Sequence, residues 1–380
     1  MTAYANQKAL LINRLTTRTY GGTVSVAAGG TNLIAAAVAA ITDASASKIY
    51  KIQLADGTYT ETPTAVAWNA DTVYAVGTYV TDSGKAYICI AAHDSGDIAD
   101  FATALAAAKW AQVSANTTLT GGVNLTYTGK QYIDIVGTGP AVCVIQCGVV
   151  SKDTVYSGGC NNLIQGVTIS HTAVTGAAYA LHLDSNPIGD ESAQQCVCYN
   201  CIFTSVTKNA VGIGVRNWQR YFFVDCTMTS TWASTGGSGF YAHSMDEEAA
   251  GGRVVVVGGS STGGNGAYIT SCGSLGMPQF LFSGVTFTAT LNACADLLHV
   301  GGRCMLNGAG TIPNGSHTWD EAYAASKQLL YQGVFNSKPW YYNDWTAWDA
   351  AIGIYTIYWS VKLGGWCLYS SLSYTNAIYS

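Results

Sequence analysis

The chain has 380 residues, of which 10% are charged and 49% apolar, with 43 Gly, 6 Pro and 24 Tyr. So little charge beside so much apolar content excludes intrinsic disorder, and a net charge of −5 removes the basic footprint of a nucleic-acid binder. No apolar run reaches the roughly 18–20 residues of a membrane span, and no basic-then-apolar signal peptide is visible, so neither membrane insertion nor nucleic-acid binding is expected.

In chain order, residues 10–15 form a short helix or arm within an N-terminal segment, 1–20. An Ala-rich run, Asn32-Leu-Ile-Ala-Ala-Ala-Val-Ala-Ala-Ile-Thr42, predicts a helix after Gly29-Gly30-Thr31. Residues 102–109 are a weaker helical candidate. Almost everything else reads as short alternating or β-branched runs separated by Gly, Asn, Asp and Ser, the signature of strands and turns.

Many of these runs repeat. Leu163-Ile-Gln-Gly-Val-Thr-Ile169, Cys198-Tyr-Asn-Cys-Ile-Phe203 and Phe223-Val-Asp-Cys-Thr-Met228 share a β run, a turn residue and a small or β-branched residue. Segments at 256–261, 281–287 and 329–335 continue the series. Anchored on Gly166, Asn200, Asp225, Gly259, Gly284, Gly308 and Gly333, the intervals are 34, 25, 34, 25, 24 and 25. A period near 25 with one strand–turn motif per period suits a parallel β-helix, in which equivalent positions stack coil on coil. A β-propeller repeats at about 40–45 residues and fits worse. The inward column runs Val167, Cys201, Cys226, Ser260, Val285 and Val334. A second strand repeats in Ala178-Tyr-Ala-Leu-His-Leu183, 210–215, Gly239-Phe-Tyr-Ala-His243, 266–270 and 296–300.

Twelve cysteines are too few for a disulfide scaffold. The densest cluster, Cys196-Val-Cys-Tyr-Asn-Cys201, lacks a second CxxC or an HxxxH partner, so these thiols read as small reduced core residues and no metal is assigned. No cofactor is implied.

Two resemblances follow. Ile49-Tyr-Lys-Ile-Gln-Leu-Ala-Asp-Gly-Thr-Tyr-Thr-Glu61 after the Ala-rich helix, with Asn200-Cys-Ile-Phe203 and Asp225-Cys-Thr-Met228, resembles the pectin-lyase-like right-handed β-helices. The implied fold is all-β: a right-handed parallel β-helix over 21–62 and 115–316. The pectin methylesterase signatures QDT and DFIFG have no counterpart in the corresponding coils, so that chemistry does not carry over. Residues 63–114 resemble the small chitin-binding-type modules of chitinases and phage tail proteins, through Trp68, Tyr74, Gly77, Val80, Gly84, Lys85, Tyr87 and Trp110. That resemblance implies a small inserted β module and makes Trp68, Tyr74, Tyr79, Tyr87 and Trp110 carbohydrate-binding candidates. A low-charge β-helix bearing such a module looks like a bacteriophage surface protein: a tailspike, tail fibre or head decoration. By that resemblance it is a homotrimer on the virion surface, contacting other virion proteins and host surface polysaccharide.

The two 34-residue intervals carry nine extra residues after the second strand, in loops at 184–192 and 245–252. Asp184, Asp190, Glu191, Asp246 and Glu247 are the weak catalytic candidates, since paired carboxylates near 10 Å apart suit inverting glycoside hydrolysis. Acidic loops could alternatively hold Ca²⁺. Between the loops lie Arg216, Trp218 and Arg220, added to the carbohydrate-binding candidates, while His182 and His243 precede them. The alternative function is therefore a polysaccharide lyase or glycoside hydrolase acting on capsular or exopolysaccharide. Residues 317–380 hold six of the ten Trp and read as an aromatic, β-rich cap or oligomerisation segment.

Overall fold

The computed structural model describes residues 9, 12–13, 15–94, 100–125, 130–157, 161–184, 195–215, 220–232, 237–245, 253–269 and 279–290. It also describes the strands at 297–299, 303–307, 329–335, 338–343, 355–360, 365–370 and 373–379. The chain divides into two compact units, residues 1–182 with 196–203, and residues 183–195 with 204–380.

The first unit is a parallel β-helix with three strands per coil. One coil runs Ile133–Val136, Cys143–Cys147, Asp153–Ser157; the next runs Asn162–Gln165, Thr168–His171, Tyr179–Leu183. Strands pair in parallel with their equivalents in the neighbouring coil, so like positions stack. Ile52, Ile135 and Ile164 align in the first sheet, Tyr59, Ile145 and Ile169 in the second, and Val123 and Val155 in the third. All eight are 0% exposed. Each such side chain contributes about 1.5–3 kcal/mol through burial. Between the first and second sheets the chain turns on one left-handed residue, Gly166 (φ 64°) or Asn200 (φ 50°), a conformation that Gly adopts freely and Asn tolerates.

The Ala-rich helix, Leu33–Ala40, buries Ile34, Ala35, Ala36, Val38 and Ala39. A helix apolar all round needs cover on several faces. Here Ala35, Ala36 and Ala39 cluster with Tyr79, Ala86, Ile88 and Leu119, so the small side chains form a seat for the segment that interrupts the first coil. That segment has its own sheet: Tyr79–Asp82, Lys85–Cys89 and Trp110–Ser114 are antiparallel, and Val66–Ala67 joins in parallel. The helix Phe101–Ala106, capped by Asp100 accepting from the Thr103 N–H (2.7 Å), covers it. Arg18, before the first strand, donates to Asp134 Oδ1 (3.2 Å) and to the Asn161 carbonyl (2.9 Å).

The second unit repeats the same three-strand coil. Arg220–Val224, Thr227–Ser230 and Ser238–Met245 form one coil, followed by Arg253–Val257, Ser260–Gly263 and Asn265–Ile269. Gln279–Ser283, Thr286–Ala289 and Leu297–His299 follow, with parallel pairing throughout. Its core is aromatic: the Phe282 ring meets Phe240 and Phe287 edge-on at 5.7 and 5.2 Å. Asp225 (φ 52°), Gly259 (φ 80°) and Gly284 (φ 66°) all adopt the left-handed turn conformation.

Two features of the sequence-read column change. Gly258 is also left-handed (φ 69°), so the double glycine shifts the register: Ser261 pairs with buried Met228 and points inward, whereas Ser260 pairs with Thr227 and is half-buried. Gly333 and Val334 belong to no coil. They lie in Leu329–Phe335, which pairs antiparallel with Lys338–Asn343. Tyr355–Ser360, Gly365–Ser370 and Ser373–Tyr379 complete that five-stranded antiparallel sheet. Cys89, Cys143, Cys147, Cys196, Cys198, Cys201 and Cys226 are buried free thiols.

Candidate functional site

The outer face of the third sheet gathers groups capable of chemistry. In the first unit Asp153 opens its strand at a corner between sheets, 9% exposed. Its Oδ1 accepts the Tyr179 N–H (2.8 Å) and its Oδ2 lies 2.7 Å from His182 Nδ1. A carboxylate accepting from Nδ1 places the proton there, which makes Nε2 the basic nitrogen of the neutral ring. The imidazole packs against two half-buried tyrosines. Tyr156 meets it edge-on at 5.0 Å, and Tyr179 is tilted at 4.5 Å. A carboxylate–imidazole pair held between aromatic rings can abstract a proton, while the rings offer flat faces of the kind that pack on sugar.

In the second unit the third sheet carries a separate aromatic row. Tyr241 and Tyr268 are directly opposed in register with rings 5.5 Å apart, and His243 lies 5.5 Å from Tyr241. These three are half-buried while Phe240, Ala242, Ala267 and Ile269 between them are buried, so the row faces outward. On the strand Asn209–Val215, Gly212 takes the position beside Tyr241. Asp184 lies over Gly214, where a Cβ would fall 2.5 Å from Asp184 Oδ1.

Of the catalytic candidates, Asp184 is thus placed on this face. Asp190, Glu191, Asp246 and Glu247 lie outside the described residues, as do Arg216 and Trp218. Arg220 is exposed at the start of a first-sheet strand. In the inserted segment, Tyr74, Tyr87 and Trp110 pack with Phe101, and Tyr79 packs on the Ala-rich helix; these four rings are 3–5% exposed. Their faces are occupied by packing, and Trp68, half-buried beside Phe101 at 5.8 Å, is the ring with surface remaining. Trp110 Nε1 donates to His93 Nε2 (3.2 Å).

No protein-family model matches the chain, and no curated protein matches it. Among solved structures, pectin methylesterase from carrot is 15% identical, with a TM-score of 0.38, over 82% of this chain and 91% of that chain. Pectin methylesterase PemA from Erwinia chrysanthemi is 11% identical, with a TM-score of 0.39, over 86% of each chain. Likenesses this distant assign no activity, and the parallel β-helix rests on the strand pairing itself.

Asp153, Tyr156, Tyr179, Tyr241 and Tyr268 were not among the sequence-read candidates. The signal was nonetheless present: the recurring second strand carries a Tyr two or three residues before a His in Tyr179-Ala-Leu-His182 and Tyr241-Ala-His243.

Proposed function

We propose that the chain acts on polysaccharide through the outer face of its third sheet, with lyase chemistry at the Asp153–His182 pair. The observation that carries this reading is the 2.7 Å Asp153–His182 contact set between Tyr156 and Tyr179. In a β-elimination His182 Nε2 takes the proton next to a uronate carboxyl group. The ring C–H electrons form the new double bond, and the bond to the glycosidic oxygen breaks, its electron pair leaving with that oxygen, which takes a proton from water. Asp153 is the positioning residue, holding the tautomer and stabilising the imidazolium. Tyr156 and Tyr179 flank the sugar. A virion surface protein that grips host glycan as a homotrimer would use the same face without turnover.

The test is a panel of acidic and neutral capsular polysaccharides, read for unsaturated sugar ends, for reducing ends and for binding. Unsaturated ends, lost by about 10²–10⁴-fold in His182→Ala and Asp153→Asn, support the lyase reading. Reducing ends without unsaturation would move the chemistry to hydrolysis. Binding without product leaves the gripping role, and neither binding nor product on any member overturns the proposal.

A further inference from the structure

A carboxyl of the first unit, that of Glu61, is buried with one oxygen unpaired. Glu61 ends the first coil's second-sheet segment, immediately before the inserted segment begins, and it is 0% exposed. Its Oε1 accepts the Ile34 N–H (3.2 Å) at the start of the Ala-rich helix, while its Oε2 is buried without a hydrogen-bond partner. The strand returning from the insert presses on it: a Cβ at Gly122 would sit 2.6 Å from Glu61 Cβ. Tyr79 of the insert donates to the Gly122 carbonyl (3.2 Å). Asn32, in left-handed conformation, donates to the Gly77 carbonyl of the insert (2.9 Å) and to the Thr62 carbonyl (3.3 Å). One carboxyl therefore lies under the helix, beside the return strand and next to both ends of the insert.

We propose that Glu61 is a proton-operated latch for the seat formed by the Ala-rich helix and the inserted segment: protonated it lets the layer close, and its ionisation loosens that layer. The groups facing it explain why ionisation is uncompensated. The next coil brings Cys147, whose neighbour Gln146 accepts the Glu61 N–H (2.8 Å), and the coil after brings His171 in register with Cys147. Both are 0% exposed; burial pushes the thiol up to about 11 and holds the imidazole below its usual range, so both are neutral near pH 7. His171 Nδ1 and Nε2 are buried without hydrogen-bond partners. Asp153 acts on both Cys147 and His171 and brings no positive charge to them. The nearby amines are engaged elsewhere: Lys152 Nζ donates to the Leu119 carbonyl, and Lys130 Nζ to those of Ala39 and Ile41. The helix contributes the N–H groups of Ile34 and Ala35, and the buried side chains clustered on the helix, Tyr79, Ala86 and Ile88 of the insert and Leu119 beyond it, include no cation. Burial accordingly pushes the Glu61 carboxyl up to about 8. The proton released on ionisation goes to solvent, and opening the layer lets water reach the carboxylate.

The experiment is amide hydrogen exchange on the full chain from pH 6 to 10, corrected for intrinsic rates. The amides followed are those of Ala36, Tyr79 and Ile88, against distant Val254–Val257 strand positions. Opening of the layer is expected to rise about tenfold per pH unit from pH 6 towards pH 8 and to level off above it, with the distant strand unchanged. In Glu61→Gln, which keeps size but cannot ionise, the profile is expected to be flat. Asn32→Ala is expected to raise opening at every pH without changing the slope. A flat wild-type profile overturns the proposal whether or not the Gln variant folds. So does an equal slope in Glu61→Gln, or a rise shared by the distant strand, which would mean global unfolding.

Discussion

At the scale of single residues, the coils depend on a few backbone positions that only certain side chains accept. Gly259 is left-handed (φ 80°), and a Cβ there would run into the Cys226 carbonyl oxygen. Gly259→Ala therefore adds backbone strain to a steric conflict that the adjoining coil cannot relieve, and is expected to cost about 2–4 kcal/mol. Asn200 also turns the chain left-handed, at φ 50°. Its short amide tolerates this, so Asn200→Gly should be nearly neutral while Asn200→Ala costs about 1–2 kcal/mol. Urea unfolding of the three variants checks the order. If Gly259→Ala unfolds with the wild-type midpoint, the turn is not fixed by this contact.

At the scale of elements, what was legible in the sequence follows from how local its cause is. The turn at Gly166, Asn200, Asp225 and Gly284 is set by one residue's dihedral preference, so the repeat could be read directly. Ser260 was misassigned because Gly258 and Gly259 are equivalent as sequence anchors, and the pairing of Met228 with Ser261 decides between them. Gly333 looked like another coil because alternation is the same in antiparallel and parallel strands, and only the partner distinguishes them. The Asp153–His182 pair was illegible for a different reason. Its members are 29 positions apart, and one coil of the helix is what brings them to 2.7 Å. The rings of the insert show the converse: their spacing reveals a module, but whether a ring packs inward or meets a ligand depends on the cover that Phe101–Ala106 and Leu33–Ala40 supply. That cover makes a prediction. Ala36 is 2% exposed in the cluster with Tyr79 and Ile88, so Ala36→Leu overfills the seat and should cost about 1–3 kcal/mol. Limited proteolysis at the insert should quicken in this variant, while a protection pattern equal to wild type would show that the helix is not its seat.

At the scale of the whole molecule, the low charge seen in the composition leaves stability governed by a few buried titrating groups. Glu61 is raised from 4.5 to about 8 and Asp134 from 3.8 to about 6, both chiefly by burial, with Arg18 opposing the shift of Asp134. Each binds its proton more tightly in the folded state, so each contributes stability that is complete below the unfolded value and lost as pH rises through the folded one. His171 is lowered from 6.5 by burial, and its contribution has the opposite sign: it is lost as pH falls below that value. Lys130, lowered from 10.5 to about 8, loses its contribution as pH falls from 10.5 towards 8. Between pH 6.5 and 8 three of the four are silent, and Glu61 alone sets the slope. Stability of the first unit should fall there by about 1.4 kcal/mol per pH unit at most, roughly 2 kcal/mol across the window. Because the carboxyl is fully buried, raising the salt concentration should leave that slope in place, whereas a slope made by surface charges would flatten. Urea midpoints at pH 6.5, 7.25 and 8, at low and high salt, check both statements. A slope that salt abolishes, or that survives in Glu61→Gln, would assign the pH dependence to the surface instead.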